Sequence, residues 1–467
     1  MITKSDFLLY CEAPRHLWAK KNGKIEVLLS EFDQRLISEG YKVEALAHGY
    51  IDTILKKQNP GLNLIWQETY IDGQFETRVD ALLYNPASNS YDLFEVKSST
   101  GVDKKDIYDV AFQSLILSNQ IEIDHLYLLH LNKEYIRNGD LDLSFLFIAE
   151  EVTSKVEKIK AEIEILRQDA LLVAELGNPN DIDCCLNPNE CPCLDVCHPN
   201  LPEFSIFNIP NLSRNKKKEL MDLGIDNAKD IPGNFGLNDK QRIIVQCAKT
   251  NNIHIDLAAI HEELGKVTYP VYFLDYETCI SAIPQYDCYH PQQQIVFQYS
   301  LHKIKKPGDK PTHTEHLSIT KDDPSLSLLD QLMTEIGGTG TIIVWNKTFE
   351  MTMNKEMAKL HPEYSEFLEK VNVRIYDLGD MVNLGYYLHP GFKGSWSIKK
   401  VLPVMVPELS YKGMEINKGD QASITWLKIC FGPLDEPDKQ RLSEALLRYC
   451  ELDTLAMVEI FNIFRIL

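Results

Sequence analysis

Apolar and polar residues alternate through FETRVDALLYN (75–85) and again through YDLFEVKSS (91–99), with the turn-rich PASNS between them. That period of two predicts two antiparallel strands closed by a short turn. Downstream, KDIYDVAFQSLILSNQ (105–120) switches to helical spacing, and DHLYLLHL (124–131) reads as a buried strand. Residues 150–175 read as a long helix rich in Glu and Lys. Pro and Asn crowd residues 198–212 and mark a boundary. From about 266 a new pattern begins: strands at 269–278, 294–304 and 313–320, a helix, a strand at 340–346, then mostly helix. The organisation predicted is α/β, with a first domain over 1–200, a helical connector over 201–264 and a second α/β domain over 265–467.

A chain of 467 residues is too long for one core, which agrees with several domains. No apolar run approaches the ~20 residues that span a bilayer. The opening MITKSDFLLYCEAPRHLW lacks a basic segment followed by an apolar one, so a cytosolic, membrane-free protein is expected. The net charge of −20 argues against a basic nucleic-acid-coating protein. Local basic runs, NKKKEL (215–220) and HKIKK (302–306), are candidate phosphate contacts or solvated surface. The first lies in IPNLSRNKKKELMDLGIDNAKDIPG (209–233), which resembles a helix-hairpin-helix phosphate clamp and equally an ordinary helical linker.

The predicted hairpin carries chemistry. Glu95 and Lys97 are two apart on one strand and share a face, and pairing across the turn brings Asp80 beside them. Two carboxylates can hold a divalent cation, and an ammonium can orient the attacking water. This segment resembles the PD-(D/E)XK nucleases, restriction-endonuclease-like in fold. The resemblance implies Asp80 and Glu95 as ligands of Mg²⁺ or Mn²⁺ and Lys97 as the residue that positions water.

A second acidic constellation lies toward the C-terminus. Asp275 and Glu277 sit two apart at the end of an apolar strand, VYFLDYET, and point to one side. In IIVWNKTFEMTMNKEM, Asn346 falls at a strand end and Glu350 at a helix start; in RYCELDTLAMVEIF, Tyr449 and Asp453 are one helical turn apart. The order resembles the Tyr-type DEDD exonucleases, with an RNase H-like fold. It implies Asp275, Glu277, Glu350 and Asp453 around two metals, Tyr449 on the attacking water and Asn346 in support. The family has Asp where this chain has Glu350. Asp377, in RIYDLGDMV, is a further candidate acid.

Eleven cysteines are present, five of them in DIDCCLNPNECPCLDVCHP: Cys184, Cys185, Cys191, Cys193 and Cys197. In a reducing compartment such density points to a metal centre rather than to disulfides. With the hairpin, this resembles RecB-type nucleases that carry an iron–sulfur cluster, including the CRISPR-associated adaptation exonuclease. The resemblance implies ligation by Cys11, Cys185, Cys191 and Cys197, with Cys184 and Cys193 as substitutes. The family spacing is C-x2-C-x5-C, whereas Cys185, Cys191 and Cys197 give C-x5-C-x5-C. Four thiolates suit a [4Fe–4S] cluster or a structural Zn²⁺, and the resemblance favours the cluster.

The same resemblance implies Glu44, in EGYKVEALAHG, as an extra metal ligand, with His48 one turn later. It also implies support from Glu68 and Gln113; Leu117 stands where the family has a Tyr. The whole arrangement resembles a bacterial family known only as a domain of unknown function. The function expected is a metal-dependent nuclease acting on DNA, exonucleolytically, in processing, repair or defence. RNA is the alternative substrate. A single-site enzyme, a non-catalytic nucleic-acid scaffold with a redox-sensitive cluster, and a subunit needing a protein partner are the rivals.

Overall fold

The computed structural model describes residues 1–25, 29–55, 57 and 61–467, with elements of both helix and sheet. They form two compact units: Met1–Asn200 with Ser281–Gln293, and Leu201–Ile280 with Gln294–Leu467. The stretch read from sequence as a connector therefore falls within the second unit. Among the described residues, no helix is long and apolar enough to cross a membrane.

In the first unit, β1 (Ile2–Thr3) leads into α1 (Lys4–Glu12) and α2 (Pro14–Lys21), followed by α3 (Glu31–Tyr50). Strands β2 (Asn63–Trp66), β3 (Thr69–Asp72), β4 (Phe75–Arg78), β5 (Ala81–Asn85) and β6 (Ser90–Lys97) follow. Then come α4 (Lys104–Leu117), β7 (Ile123–Leu131), β8 (Phe147–Glu151), α5 (Thr153–Glu175) and the single turn α6 (Leu194–Cys197). The main sheet runs β2-β5-β6-β7-β8, antiparallel except for the parallel β6–β7 pair; β1-β4-β3 form a smaller sheet.

The stretch 75–85, read as one strand, is two. The chain leaves the small sheet after Arg78 and enters the main sheet at Ala81. Backbone bonds from Val79 N to Glu68 O and from Gln67 N to Asp80 O, both 3.1 Å, hold the crossing. The helix read over 150–175 begins at Thr153, because Phe147–Glu151 pairs with β7.

Side-chain alternation in β6 sorts the two faces of the main sheet. Leu93 packs with Phe7, Phe112 and Val156 from α1, α4 and α5. Phe94 packs with Val43, Ala47 and Tyr50 of α3 on the other face. Glu95 and Lys97 share the parity of Leu93, so they face α1 and α4. Asp103 starts α4 with a capping box, its side chain accepting from Asp106 N, which fixes where the helix enters.

The second unit opens with α7 (Arg214–Asp222) and α8 (Asp239–Thr250), both within the stretch 201–264 read as a helical connector. A short strand, β9 (His254–Ile255), precedes β10 (Val271–Ile280), β11 (Gln294–Ile304), β12 (Thr312–Leu317), α9 (Ser325–Glu335), β13 (Thr341–Val344), α10 (Lys347–Leu360), β14 (Ile375–Asp377) and β15 (Tyr387–Leu388). Helices α11 (Ile398–Met405), α12 (Gly419–Phe431) and α13 (Glu436–Ile466) complete it. The large sheet has the order β12-β11-β10-β13-β14, antiparallel from β12 to β10 and parallel from β10 to β14.

Tyr272, Leu274 and Tyr276 of β10 pack against Leu328, Leu332 and Met353 of α9 and α10. On the opposite face, the ring of Phe273 meets Phe461 of α13 edge-on at 5.6 Å, and Phe297 stacks on Trp426 of α12 at 4.8 Å. Asp275 shares the parity of Phe273, which aims it at α13. Gly340, at φ +92°, enters β13 where a Cβ would lie 2.0 Å from Pro270 O, so this tight approach excludes a side chain.

Candidate functional site

In the first unit, Asp80, Glu95 and Lys97 converge, joined by Lys4 of α1 and by Asp109 and Gln113 of α4. Glu95 Oε1 receives Lys4 Nζ at 2.8 Å and Lys97 Nζ at 3.0 Å; its Oε2 receives Gln113 Nε2 at 2.7 Å. Lys97 also reaches Asp109 Oδ2 at 2.7 Å, and Gln113 reaches Asp109 Oδ1 at 2.9 Å. Asp80 Oδ2 accepts the Val96 N–H at 2.8 Å, which ties the acid to the strand bearing Glu95. Burial and the neighbouring Glu95 charge lift Asp80 to about 7. Burial and Glu95 likewise push Asp109 up to about 6. Burial would raise Glu95 too, yet Lys4 and Lys97 overcome it and hold that carboxyl at about 2.

Lys4 and Asp109 escaped the sequence reading. Asp109 precedes Gln113 by one helical turn, a spacing that could have flagged it; nothing local marks Lys4.

The two supporting acids have other hydrogen-bond partners. Glu44 lies on α3, across the sheet from Glu95, and its carboxylate accepts from Gln67 Nε2. With Tyr41, His48, Trp66 and Gln67 it lines an open cavity of about 600 Å³. His48 stacks on Trp66 at 4.3 Å. Glu68 is exposed and accepts from Tyr70 OH at 3.0 Å. The pleat explains the place of Glu44, since α3 covers the face opposite to Glu95 and Lys97.

In the second unit, β10, α10 and α13 bring Asp275, Glu277, Glu350 and Asp453 together. Glu277, Glu350 and Asp453 are 7%, 2% and 7% exposed, and Asp275 is partly buried. One carboxylate oxygen each of Asp275 and Glu277, with Cys450 Sγ, lie within 4.8 Å of one another. Glu350 Oε2 is buried with no hydrogen-bond partner. Burial, and then the charges of Asp453, Glu277 and Glu350, hold Asp275 well above the usual carboxylate range. Burial and Asp453 do the same to Glu277. Burial puts Glu350 at about 8, and Asp453 at about 6 against the opposing Tyr411 hydrogen bond and Lys399 charge.

Tyr411 OH donates to Asp453 Oδ1 at 2.5 Å, and Lys399 Nζ donates to Tyr449 OH at 2.6 Å. Neither Tyr411 nor Lys399 was legible, because each comes from a segment without a motif. Asn346 holds the N-cap position of α10 with an exposed side chain that makes no cap bond to the helix. Asp377 is a holder of backbone: its Oδ2 accepts Lys347 N at 2.9 Å and its Oδ1 accepts Gly379 N at 3.0 Å.

The cysteine segment closes on α2. Cys193 Sγ and Cys197 Sγ are 3.7 Å apart, and Cys191 Sγ is 3.5 Å from His16 Nε2. Ligand atoms of His16, Cys191, Cys193 and Cys197 all lie within 4.8 Å of one another. Cys185 Sγ adjoins them and lies 3.5 Å from His198 Nε2. Cys11 packs against the same core as Cys185, Cys193 and Cys197; burial, with Glu12 and Glu162, pushes its thiol up to about 12. Helix α1 ends at Glu12 and the chain re-enters a helix at Pro14, which presents His16 of α2 to the cysteines.

Residues 272–397 match the model of a domain of unknown function, DUF2779. The family expectation thus holds for that stretch rather than for the whole chain. An uncharacterized protein of Ureaplasma parvum, UU173, is 28% identical over 284 residues, covering 56% of this chain and 41% of that protein. The uncharacterized protein MG366 homolog of Mycoplasma pneumoniae is 26% identical over 239 residues, covering 45% and 36%. Uncharacterized protein MG366 of Mycoplasma genitalium is 28% identical over 207 residues, covering 41% and 31%. The chain therefore spans less than half the length of each of these curated relatives. No solved structure matches the chain significantly.

Proposed function

We propose that this protein is a metal-dependent nuclease that hydrolyses DNA phosphodiester bonds exonucleolytically, with its principal centre in the second unit. The carrying observation is the excess of buried acid there: Asp453, Glu277 and Glu350 together raise Asp275, Asp453 raises Glu277, and Glu350 Oε2 has no partner. Carboxylates collected out of water without matching cations fit a divalent metal. Asp275, Glu277, Glu350 and Asp453 would hold Mg²⁺ or Mn²⁺, which when bound supplies Lewis acidity and a lowered water pKa. Tyr449 accepts its hydrogen bond from Lys399, so its own proton remains to orient the attacking water. Lys399 adds positive charge where a phosphate would enter. The strand order β12-β11-β10-β13-β14 supports the RNase H-like reading of this unit, and the antiparallel β5–β6 and parallel β6–β7 pairs support the PD-(D/E)XK reading of the other.

The first unit offers a second centre, in which Asp80 and Glu95 would bind the metal and Lys97 would position water. Here the acids are already matched, since Glu95 spends both oxygens on Lys4, Lys97 and Gln113. That observation favours a second reading, in which the second unit cuts and the first grips the strand.

The test is cleavage of end-labelled single- and double-stranded DNA and RNA with Mn²⁺ or EDTA, comparing wild type, Lys97→Ala, Asp275→Ala and the double variant. Metal-dependent cleavage lost on Asp275→Ala supports the principal centre. A further loss specific to Lys97→Ala supports two enzymes, and preference for RNA reassigns the substrate. No cleavage by folded, metal-loaded wild type hands the chain to the scaffold or partner-dependent readings.

A further inference from the structure

The structure assigns Cys191, Cys193, Cys197 and His16 as the four ligands of a single Zn²⁺ ion, in place of a [4Fe–4S] cluster on Cys11, Cys185, Cys191 and Cys197. The inference stands apart from the nuclease proposal and does not depend on it.

Spacing decides between the two metals. A tetrahedral zinc with Zn–S near 2.3 Å and Zn–N near 2.0 Å sets its donor atoms about 3.5–3.8 Å apart. The observed pairs, 3.7 Å for Cys193–Cys197 and 3.5 Å for Cys191–His16, match that edge length. A cubane carries one thiolate on each of four irons, which spreads its sulfurs to roughly 6 Å. Cys191 and Cys197, which such a cluster would hold on separate irons, have their sulfurs within 4.8 Å of each other, closer than that spread.

The surroundings are those of a built site. His16 is 4% exposed, Cys193 5% and Cys197 3%. Arg15, beside His16 on α2, donates its Nε to Ile182 O at 2.9 Å and its Nη1 to Cys197 O at 3.3 Å, so the helix that presents the histidine also grips the cysteine segment. His16 Nδ1 is buried without a hydrogen bond, and the Glu12 carboxylate lies 3.9 Å behind it. A carboxylate behind a ligating imidazole is the usual support for a zinc-bound histidine. Cys185 is left as a neighbouring thiol and Cys11 as a residue outside the site.

The experiment is metal and sulfide analysis of anaerobically purified full-length protein, with X-ray absorption at the metal edge. One zinc per chain, bound by three sulfurs and one nitrogen, is expected. Iron with acid-labile sulfide and broad visible absorption would overturn the assignment, and zinc bound by four sulfurs would overturn the part given to His16. Cys11→Ser supplies a second arm that leaves the site intact: it should retain full zinc, and loss of the metal from a folded Cys11→Ser protein would also refute the ligand set.

Discussion

Lys399 Nζ lies 2.6 Å from the phenol oxygen of Tyr449, and its charge acts on Asp275, Glu277 and Asp453 together. The lysine thus links the residue proposed to orient water with three of the acids proposed to hold metal. It opposes the burial and mutual repulsion that push those acids toward the neutral form.

Lys399→Met is therefore expected to destabilise the metal-free protein more at pH 8 than at pH 5. The lysine stabilises ionised carboxylates, so its contribution grows as Asp453 ionises through about 6 and is absent where the acids are protonated. Thermal melts of both proteins in EDTA at the two pH values check this. An equal shift at both would show that the lysine acts through packing alone.

The raised acids make a wider prediction. Asp80 at about 7, Asp109 at about 6 and Glu350 at about 8 all lie above their unfolded values, so the native state binds more protons between about pH 4 and 8. Stability in EDTA should fall as pH rises through that window. Mn²⁺ competes with those protons, so it should raise the urea midpoint clearly at pH 8 and little at pH 5.5. The measurement is a set of urea titrations at both pH values, with and without the metal.

Glu95→Ala should cost about 3–5 kcal/mol, because it strips two ammonium groups of a shared, buried partner. Lys4 and Lys97 would then share Asp109, with Asp106 3.8 Å from Lys97. Chemical denaturation measures the loss, and a change under ~1 kcal/mol would mean the pairs are solvated.

Asp377→Ala should cost about 1–3 kcal/mol, since the Lys347 and Gly379 N–H groups lose their acceptor. Mn²⁺ uptake should survive the change, because the carboxylate is spent on the backbone. Loss of uptake from a folded Asp377→Ala protein would return this residue to the candidate ligands.

Motif spacing made the cores of both sites legible. Asp80, Glu95 and Lys97 converge, as do Asp275, Glu277, Glu350 and Asp453, since pleat parity and helical turn fix which neighbours share a face. Lys4, Lys399 and Tyr411 were not legible, because each arrives from a remote segment by tertiary packing. The place of Glu44 was not legible, because a helix motif does not say which face of the sheet the helix covers. The approach of His16 to the five clustered thiols was not legible either, because it depends on the orientation of α2. The break at Asp80 was hidden because apolar alternation continues across it while the backbone changes sheets.

The measurement that tests the central claim most directly is Mn²⁺ uptake at pH 8 by EDTA-treated protein, followed through the electron paramagnetic resonance of free Mn²⁺. Wild type is compared with an Asp275→Asn, Asp453→Asn double variant shown to be folded by circular dichroism. The account predicts that wild type takes up Mn²⁺ and that the double variant loses the uptake contributed by the second unit. Identical isotherms for the two proteins would contradict it.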